Sequence, residues 1–229
     1  MARPKAGPTA APSVPAAPPV PPADLDELVR RMRWPSADVI HRIHPDTYGS
    51  DAFNPGPLGN ARFSPIVDAA GISIPTIYGG TTFACAAMET VFHDVPFAPG
   101  LKTVEKRKLR GHVYSRLLPT EEMILADLSV TALRKLGVTR PQLIETEKVQ
   151  YPYTRTWAEA IHAQCKDVQG LCWISRQDDR ARAIVLFGDR IAIRPFSILV
   201  PAVDIVSDTS TYAQLIDLAD RIGVKIHGR

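Results

Sequence analysis

A chain of 229 residues, 45% of them hydrophobic, is long enough to close one full core and fits one domain with appendages better than two. Its 27 basic and 24 acidic residues leave a formal charge of +3, too even a balance to attract nucleic acid or an anionic membrane, so no direct nucleic-acid binding is expected. Cys85, Cys165 and Cys172, with no C-x-x-C spacing, support neither a disulfide framework nor a zinc site, and the expected setting is reducing and cytoplasmic. No apolar run reaches the roughly 18 residues of a membrane span, and prolines break up the N-terminal stretch where a secretion signal needs a continuous apolar segment.

Residues 1 to about 23, including "PKAGPTAAPSVPAAPPVPP", are nearly all alanine and proline. Proline lacks a backbone donor and fixes φ, so this reads as an extended, disordered tail outside a single domain over residues 24–229. In "DLDELVRRM", Leu25, Leu28, Val29 and Met32 make a helical stripe behind acidic first-turn residues, ended by Trp34 and Pro35. "DVIHRIHP" reads as a strand and "DTYGSDAFNPGPLGNARFSP" as a long loop of the kind that carries function. "TIYGGTTFACAAMETVFHDV" starts as a buried strand and turns at Gly79 and Gly80, glycines that let a ligand approach the backbone. It then becomes an amphipathic helix with Glu89 in its middle.

The basic run "KTVEKRKLRGH" reads as a solvated face, followed by strands in "GHVYSRLLP" and "EMILADL". "SVTALRKLG" is a short helix with Ser129 as N-cap and Gly137 past its end. A helix in "YPYTRTWAEAIHAQC", β runs in "GLCWIS" and "AIVLFG" and a strand in "AVDIVSD" come next. The closing helix, "STYAQLIDLADRIGV", places Tyr212, Leu215, Ile216, Ala219 and Ile222 on one face. Short, irregularly connected strands make this a mixed α/β chain of the α+β kind rather than a doubly wound parallel sheet, and neither G-x-G-x-x-G nor a Walker A pattern occurs.

Cys85, Glu89 and His93 share a helix face at one-turn spacing, as metal ligands often do, but no second cluster completes a shell and no metal is expected. Ser175 has no G-x-S-x-G elbow, which argues against a serine nucleophile, although a strand-end hydroxyl can hydrogen-bond a ligand. What remains is a set of polar residues at the edges of apolar elements: Arg42, Arg62, Tyr78, Glu89, Ser175 and Arg176. Periodicity alone would turn Glu89 to water.

Taken in chain order, these residues resemble the RES domain, a family named for an arginine, a glutamate and a serine and known as the toxin half of many bacterial toxin–antitoxin pairs. "HRIHPDTYG" is similar to the family's opening strand and loop. "ARFSP" is similar to its G-R-W/F-N-x-P element and supplies Arg62, with Ala61 in place of the glycine. "IYGGTTFACAAMETVFHDV" resembles the segment in which a tyrosine and a glutamate stand eleven apart, here Tyr78 and Glu89. "CWISRQDDRARAIVLFGDR" is similar to the late element whose serine, here Ser175, is the third name residue. The resemblance spans roughly residues 38 to 195, leaves out the proline-rich tail, and includes a longer stretch than usual between Arg62 and Tyr78.

The resemblance implies an ADP-ribosyltransferase-like fold, a mixed, split β-sheet with flanking helices that grips NAD. It also implies cleavage of the nicotinamide–ribose bond, as an NAD glycohydrolase or phosphorylase. An ADP-ribosyltransferase acting on a macromolecule and a catalytically idle nucleotide- or protein-binding domain are the alternatives. Under this resemblance Glu89 stabilises positive charge developing on the ribose and holds its 2′-hydroxyl. Arg62 and Arg42 take the pyrophosphate with planar guanidinium forks, and Tyr78 stacks on nicotinamide or walls the pocket. Ser175, with Arg176 beside it, hydrogen-bonds nicotinamide or phosphate. No cofactor beyond NAD as substrate is expected, and the implied partner is a small helix-turn-helix (Xre-type) antitoxin that occludes the cleft.

Overall fold

The structure is a computed structural model describing residues 17–96 and 98–228. Its first half runs α1 (Leu25–Leu28), β1 (Arg31–Trp34), β2 (Ile40–Pro45), β3 (Ile66–Val67), β4 (Ser73–Ile74), β5 (Thr76–Gly80), α2 (Phe83–Met88) and β6 (Lys102–Glu105). The second half runs β7 (His112–Pro119), β8 (Met123–Asp127), α3 (Val130–Lys135), α4 (Arg140–Leu143), α5 (Tyr151–Gln164), β9 (Gly170–Ile174), β10 (Arg182–Phe187), β11 (Phe196–Asp204), α6 (Thr209–Arg221) and β12 (Val224–His227). Eight strands make one mixed sheet in the order β1-β8-β9-β10-β5-β2-β7-β11, with β8 parallel to β9 and the other neighbours antiparallel. This is the expected α+β architecture, a curled mixed sheet with flanking helices.

The sheet is nearly split. Between β2 and β5, His41 opposite Gly80 is the one paired position among the described residues, whereas β2 and β7 pair over six. Two glycines set the approach at this seam. A Cβ on Gly79 would lie 2.4 Å from Ile40 Cγ2, and one on Gly80 would lie 2.6 Å from Cys85 Sγ, so both positions exclude side chains. The close contacts at these glycines are with the protein's own strand and helix, which replaces the expectation that they admit a ligand.

On one face, α5 buries Trp157, Ala158 and Ile161 against Leu171, Trp173 and Val185 of β9 and β10. Spacings of three and four residues put those helix side chains on one stripe. Beside the seam, α2 and α6 pack with Ile43 and Tyr114 in a second cluster. Elsewhere the sheet curls around its own side chains, among them Trp34, Leu117, Leu125 and Leu186.

Several local expectations are corrected. The first helix stops at Leu28, because Arg31–Trp34 pairs antiparallel with β8, and Trp34 is fully buried there. The basic run is a strand in part: β6 pairs in parallel with β12 at the far end of the chain. The strand expected at "AVDIVSD" begins earlier, at Phe196, and ends at Asp204. On α6 Leu218 is buried and Ile216 faces water, so the inward stripe is turned from the expected one. Ser129 occupies the N-cap of α3 without a side-chain capping bond. Of the expected tail, residues 1–16 lie outside the described residues. Pro18 is buried, and the Pro19 and Pro22 carbonyls accept hydrogen bonds from Trp157 Nε1 (2.8 Å) and Gln164 Nε2 (3.0 Å), so this part is docked on α5.

Candidate active site

Where β2 and β5 part, a cavity of about 400 Å³ opens, within the range of small-molecule sites. Arg42 and His44 of β2, Arg62 of the long loop, Tyr78 of β5, Trp173 of β9 and Glu89 all line it. All six lie within the motifs singled out in the sequence.

Glu89 is not in mid-helix. Thr82 starts α2 by accepting the Cys85 N–H (3.0 Å), alanines carry it, and Glu89 is its C-cap. The negative end of a helix is a poor place for a carboxylate, so the charge must be offset from elsewhere. Ser175 and Arg62 supply that offset. Ser175 Oγ donates to Glu89 Oε1 at 2.6 Å, the short distance of a charge-assisted bond, and Arg62 Nη1 lies 3.9 Å from Oε2. The direction of the serine proton is forced, because Ser175 Oγ already accepts the Gln177 and Asp178 N–H groups at 3.0 and 3.1 Å. Ser175 is fully buried and is a holder of Glu89, not a lining residue of the cavity.

Arg62 is 4% exposed and is fixed through its backbone, whose carbonyl accepts a hydrogen bond from Thr154 Oγ1 on α5. Arg155, the next residue on the helix, donates from Nε to the Ala61 carbonyl (3.2 Å). The guanidinium lies 5.9 Å from the centroid of the Trp173 ring. Its Nε and Nη2 are buried with no hydrogen-bond partner among the described residues, and Trp173 Nε1 is in the same condition. Buried donors of this kind are costly unless something accepts from them. Three such donors beside one carboxylate form a site suited to an anionic or carbonyl-bearing ligand.

Arg42 is equally buried, but its Nη1 is taken by the Ser50 carbonyl, with the Gly49 and Ala52 carbonyls at 3.4 Å. Burial lowers its pKa to about 10. Tyr78 Oη accepts the Phe63 N–H (3.1 Å), its ring stands edge-on to Trp173, and burial pushes the phenol up to about 12, so it is a neutral wall. His44 Nε2 pairs with Ser115 Oγ at 2.9 Å, and burial lowers the imidazole to about 4. Arg176 stands apart: it donates to the Thr146 carbonyl (3.0 Å) and faces an adjoining cavity with Lys148 and Gln177.

The structure therefore brings Arg62, Tyr78 and Glu89 together around one space, with Ser175 behind the carboxylate, Arg42 in the opposite wall and Arg176 outside. Sequence reasoning missed Trp173, Tyr151 and Thr154. A period-two signal for Trp173 was present, since it precedes Ser175 by two residues in the same apolar run. Nothing local marked Thr154, whose role depends on a loop 92 residues away.

The RES domain family model matches residues 39–205, well over half of the chain, and the chain belongs to that family. None of the curated proteins compared with it matches. The matched span runs from just before β2 to just past β11, so it holds every residue of the cavity described above, while α1, β1, α6 and β12 lie outside it.

Proposed function

We propose that this protein cleaves NAD at the nicotinamide–ribose bond and passes the ADP-ribose to a small acceptor, as a glycohydrolase or phosphorylase. The observation that carries the reading is Glu89, held by the fully buried Ser175 and set beside an arginine with two unclaimed donors. Nicotinamide in NAD is a cationic leaving group, so bond breaking needs no acid. It needs stabilisation of the oxocarbenium-like ribose left behind, and a fixed carboxylate provides that. Arg62 Nε and Nη2 are shaped for a phosphate oxygen pair, and Trp173 Nε1 is a further donor to the bound dinucleotide. Tyr78 provides the flat wall. Arg42 contributes positive charge from across the cleft while fastening its own loop.

The reading requires no cofactor beyond NAD as substrate, and it fits a toxin whose cleft a helix-turn-helix (Xre-type) antitoxin would cover. Among the described residues no helix is long and apolar enough to cross a membrane. The test is nicotinamide release from NAD by the purified full chain, with and without inorganic phosphate. Release without phosphate marks a glycohydrolase, release dependent on phosphate a phosphorylase. Labelled ADP-ribose on a macromolecule would move the assignment to a transferase, and NAD binding without release would make the domain an idle binder.

A further inference from the structure

His93 lies in the turn after α2, four residues beyond Glu89, and lines the same cavity. Its Nδ1 is 2.8 Å from Asp94 Oδ1, and its Nε2 is 3.2 Å from the Tyr151 hydroxyl, which lines the cavity as well. The other Asp94 oxygen accepts from Lys148 Nζ at 2.7 Å. Lys148 first, and His93 second, hold the Asp94 carboxyl below its usual range, so it is a carboxylate at neutral pH. A carboxylate on Nδ1 fixes the ring proton there and leaves Nε2 as an acceptor. Tyr151 then donates its proton to Nε2, and its oxygen lone pairs are free to face the cavity. The Tyr151 ring is buried at the start of α5, and the Gln177 side chain donates to the His93 carbonyl (3.3 Å), so both ends of this chain of bonds are anchored.

The bond-breaking step makes no use of these groups, since nicotinamide departs neutral with the electron pair of the C–N bond. The second half of the reaction has a proton to dispose of when the acceptor is a neutral hydroxyl. Glu89 is committed elsewhere, with Oε1 accepting from Ser175, Oε2 3.9 Å from Arg62 Nη1, and its charge set against the ribose cation.

We propose that Tyr151, His93 and Asp94 form a proton relay that activates a neutral hydroxyl acceptor, water in the simplest case, against the ribose that nicotinamide has left. The inference rests on the NAD-cleaving reading above. As the acceptor oxygen bonds to the ribose carbon, its proton passes to Tyr151 Oη and the Tyr151 proton passes to His93 Nε2. The resulting imidazolium is stabilised by Asp94, which is mostly exposed and gives the proton a way back to solvent. A phosphate dianion brings no proton that must be removed, so the relay separates the two acceptor classes: it serves hydrolysis and is dispensable for phosphorolysis. Tyr151 is the member that touches the acceptor, while His93 and Asp94 act through it as positioning residues.

The experiment follows nicotinamide release from NAD by wild type, His93→Gln, Tyr151→Phe and the double variant, without phosphate and then with inorganic phosphate, with NAD affinity measured in parallel by calorimetry. In phosphate-free buffer each single variant is expected to lose on the order of 10²-fold in turnover. The double variant is expected to be no slower than the worse single one, as for residues acting as a unit. NAD affinity should be kept, and added phosphate should restore release. Undiminished hydrolysis in either single variant overturns the relay while leaving the NAD reading intact. Multiplying losses that phosphate does not restore, or lost NAD affinity, make these residues structural and overturn it as well. A wild-type chain that releases nicotinamide only when phosphate is present overturns the relay alone, and one that binds NAD and releases none overturns the function and the relay together.

Discussion

Arg42 and Arg62 are both buried arginines in the wall of one cavity, and their hydrogens go to different places. Arg42, on the β2 side of the seam, is tied by Nη1 to backbone carbonyls of its own loop at Gly49, Ser50 and Ala52, and keeps one buried donor, Nε, without a partner among the described residues. Arg62, on the β5 side, has its backbone held by Thr154, while Nε and Nη2 of its guanidinium have no partner among the described residues and Nη1 stands 3.9 Å from Glu89. An arginine bound to carbonyls holds a scaffold together, whereas one held through its backbone with donors unclaimed is prepared for a ligand. Under the proposed function, the difference separates a wall that binds from a wall that mainly holds the scaffold.

The largest effect should come from the group both walls surround. Glu89→Gln keeps the shape and removes the charge, and nicotinamide release should fall on the order of 10²- to 10³-fold. Arg62→Ala should weaken NAD binding about 10- to 100-fold, as loss of a charge-assisted contact does. Arg42→Ala should instead lower folding stability by about 2 kcal/mol, read in urea unfolding, because three carbonyls lose their donor. If the two alanine variants behave alike in both assays, the contrast between the walls is wrong. Ser175→Ala should cost about tenfold in turnover with NAD affinity kept, since it frees Glu89 without removing it. A large loss of NAD affinity instead would make Ser175 a direct ligand contact.

Acid sensitivity is expected from the β2 wall as well. Burial holds His44 at about 4 against an ordinary 6.5, so between those values the unfolded chain binds the proton and the folded chain does not. The stability this site contributes is complete above pH 6.5 and declines as pH falls towards 4. Urea midpoints across that window should fall less steeply in His44→Gln than in wild type, and identical slopes would remove His44 from the account.

Much of this cleft was legible in the sequence because its parts sit at the ends of strongly patterned elements. Tyr78 lies in an apolar strand and Ser175 ends one, while Arg62 follows a Gly- and Pro-rich loop, and each position survives errors in the neighbouring boundaries. The misreadings had tertiary causes. Arg31–Trp34 carries a helical pattern but is held in the sheet by pairing with β8 and by burial of Trp34. Glu89 appeared solvent-facing because periodicity describes a helix interior, whereas α2 ends one residue earlier and its C-cap follows the turn into the cleft. The strand at Lys102–Glu105 depends on a partner more than a hundred residues later, a pairing no local signal contains. For Ser175 the resemblance implies a ligand contact, and the N–H groups of Gln177 and Asp178 two and three residues on direct its proton to Glu89, a detail no sequence pattern carries.

Under the proposed function, Glu89 acts on the bond and Arg62 on the molecule. Calorimetric titration of NAD into Glu89→Gln, beside nicotinamide release from the same preparation, tests this most directly. NAD affinity close to wild type together with loss of turnover is the expected result. Lost affinity with turnover per bound NAD intact, or a variant as active as wild type, would contradict it.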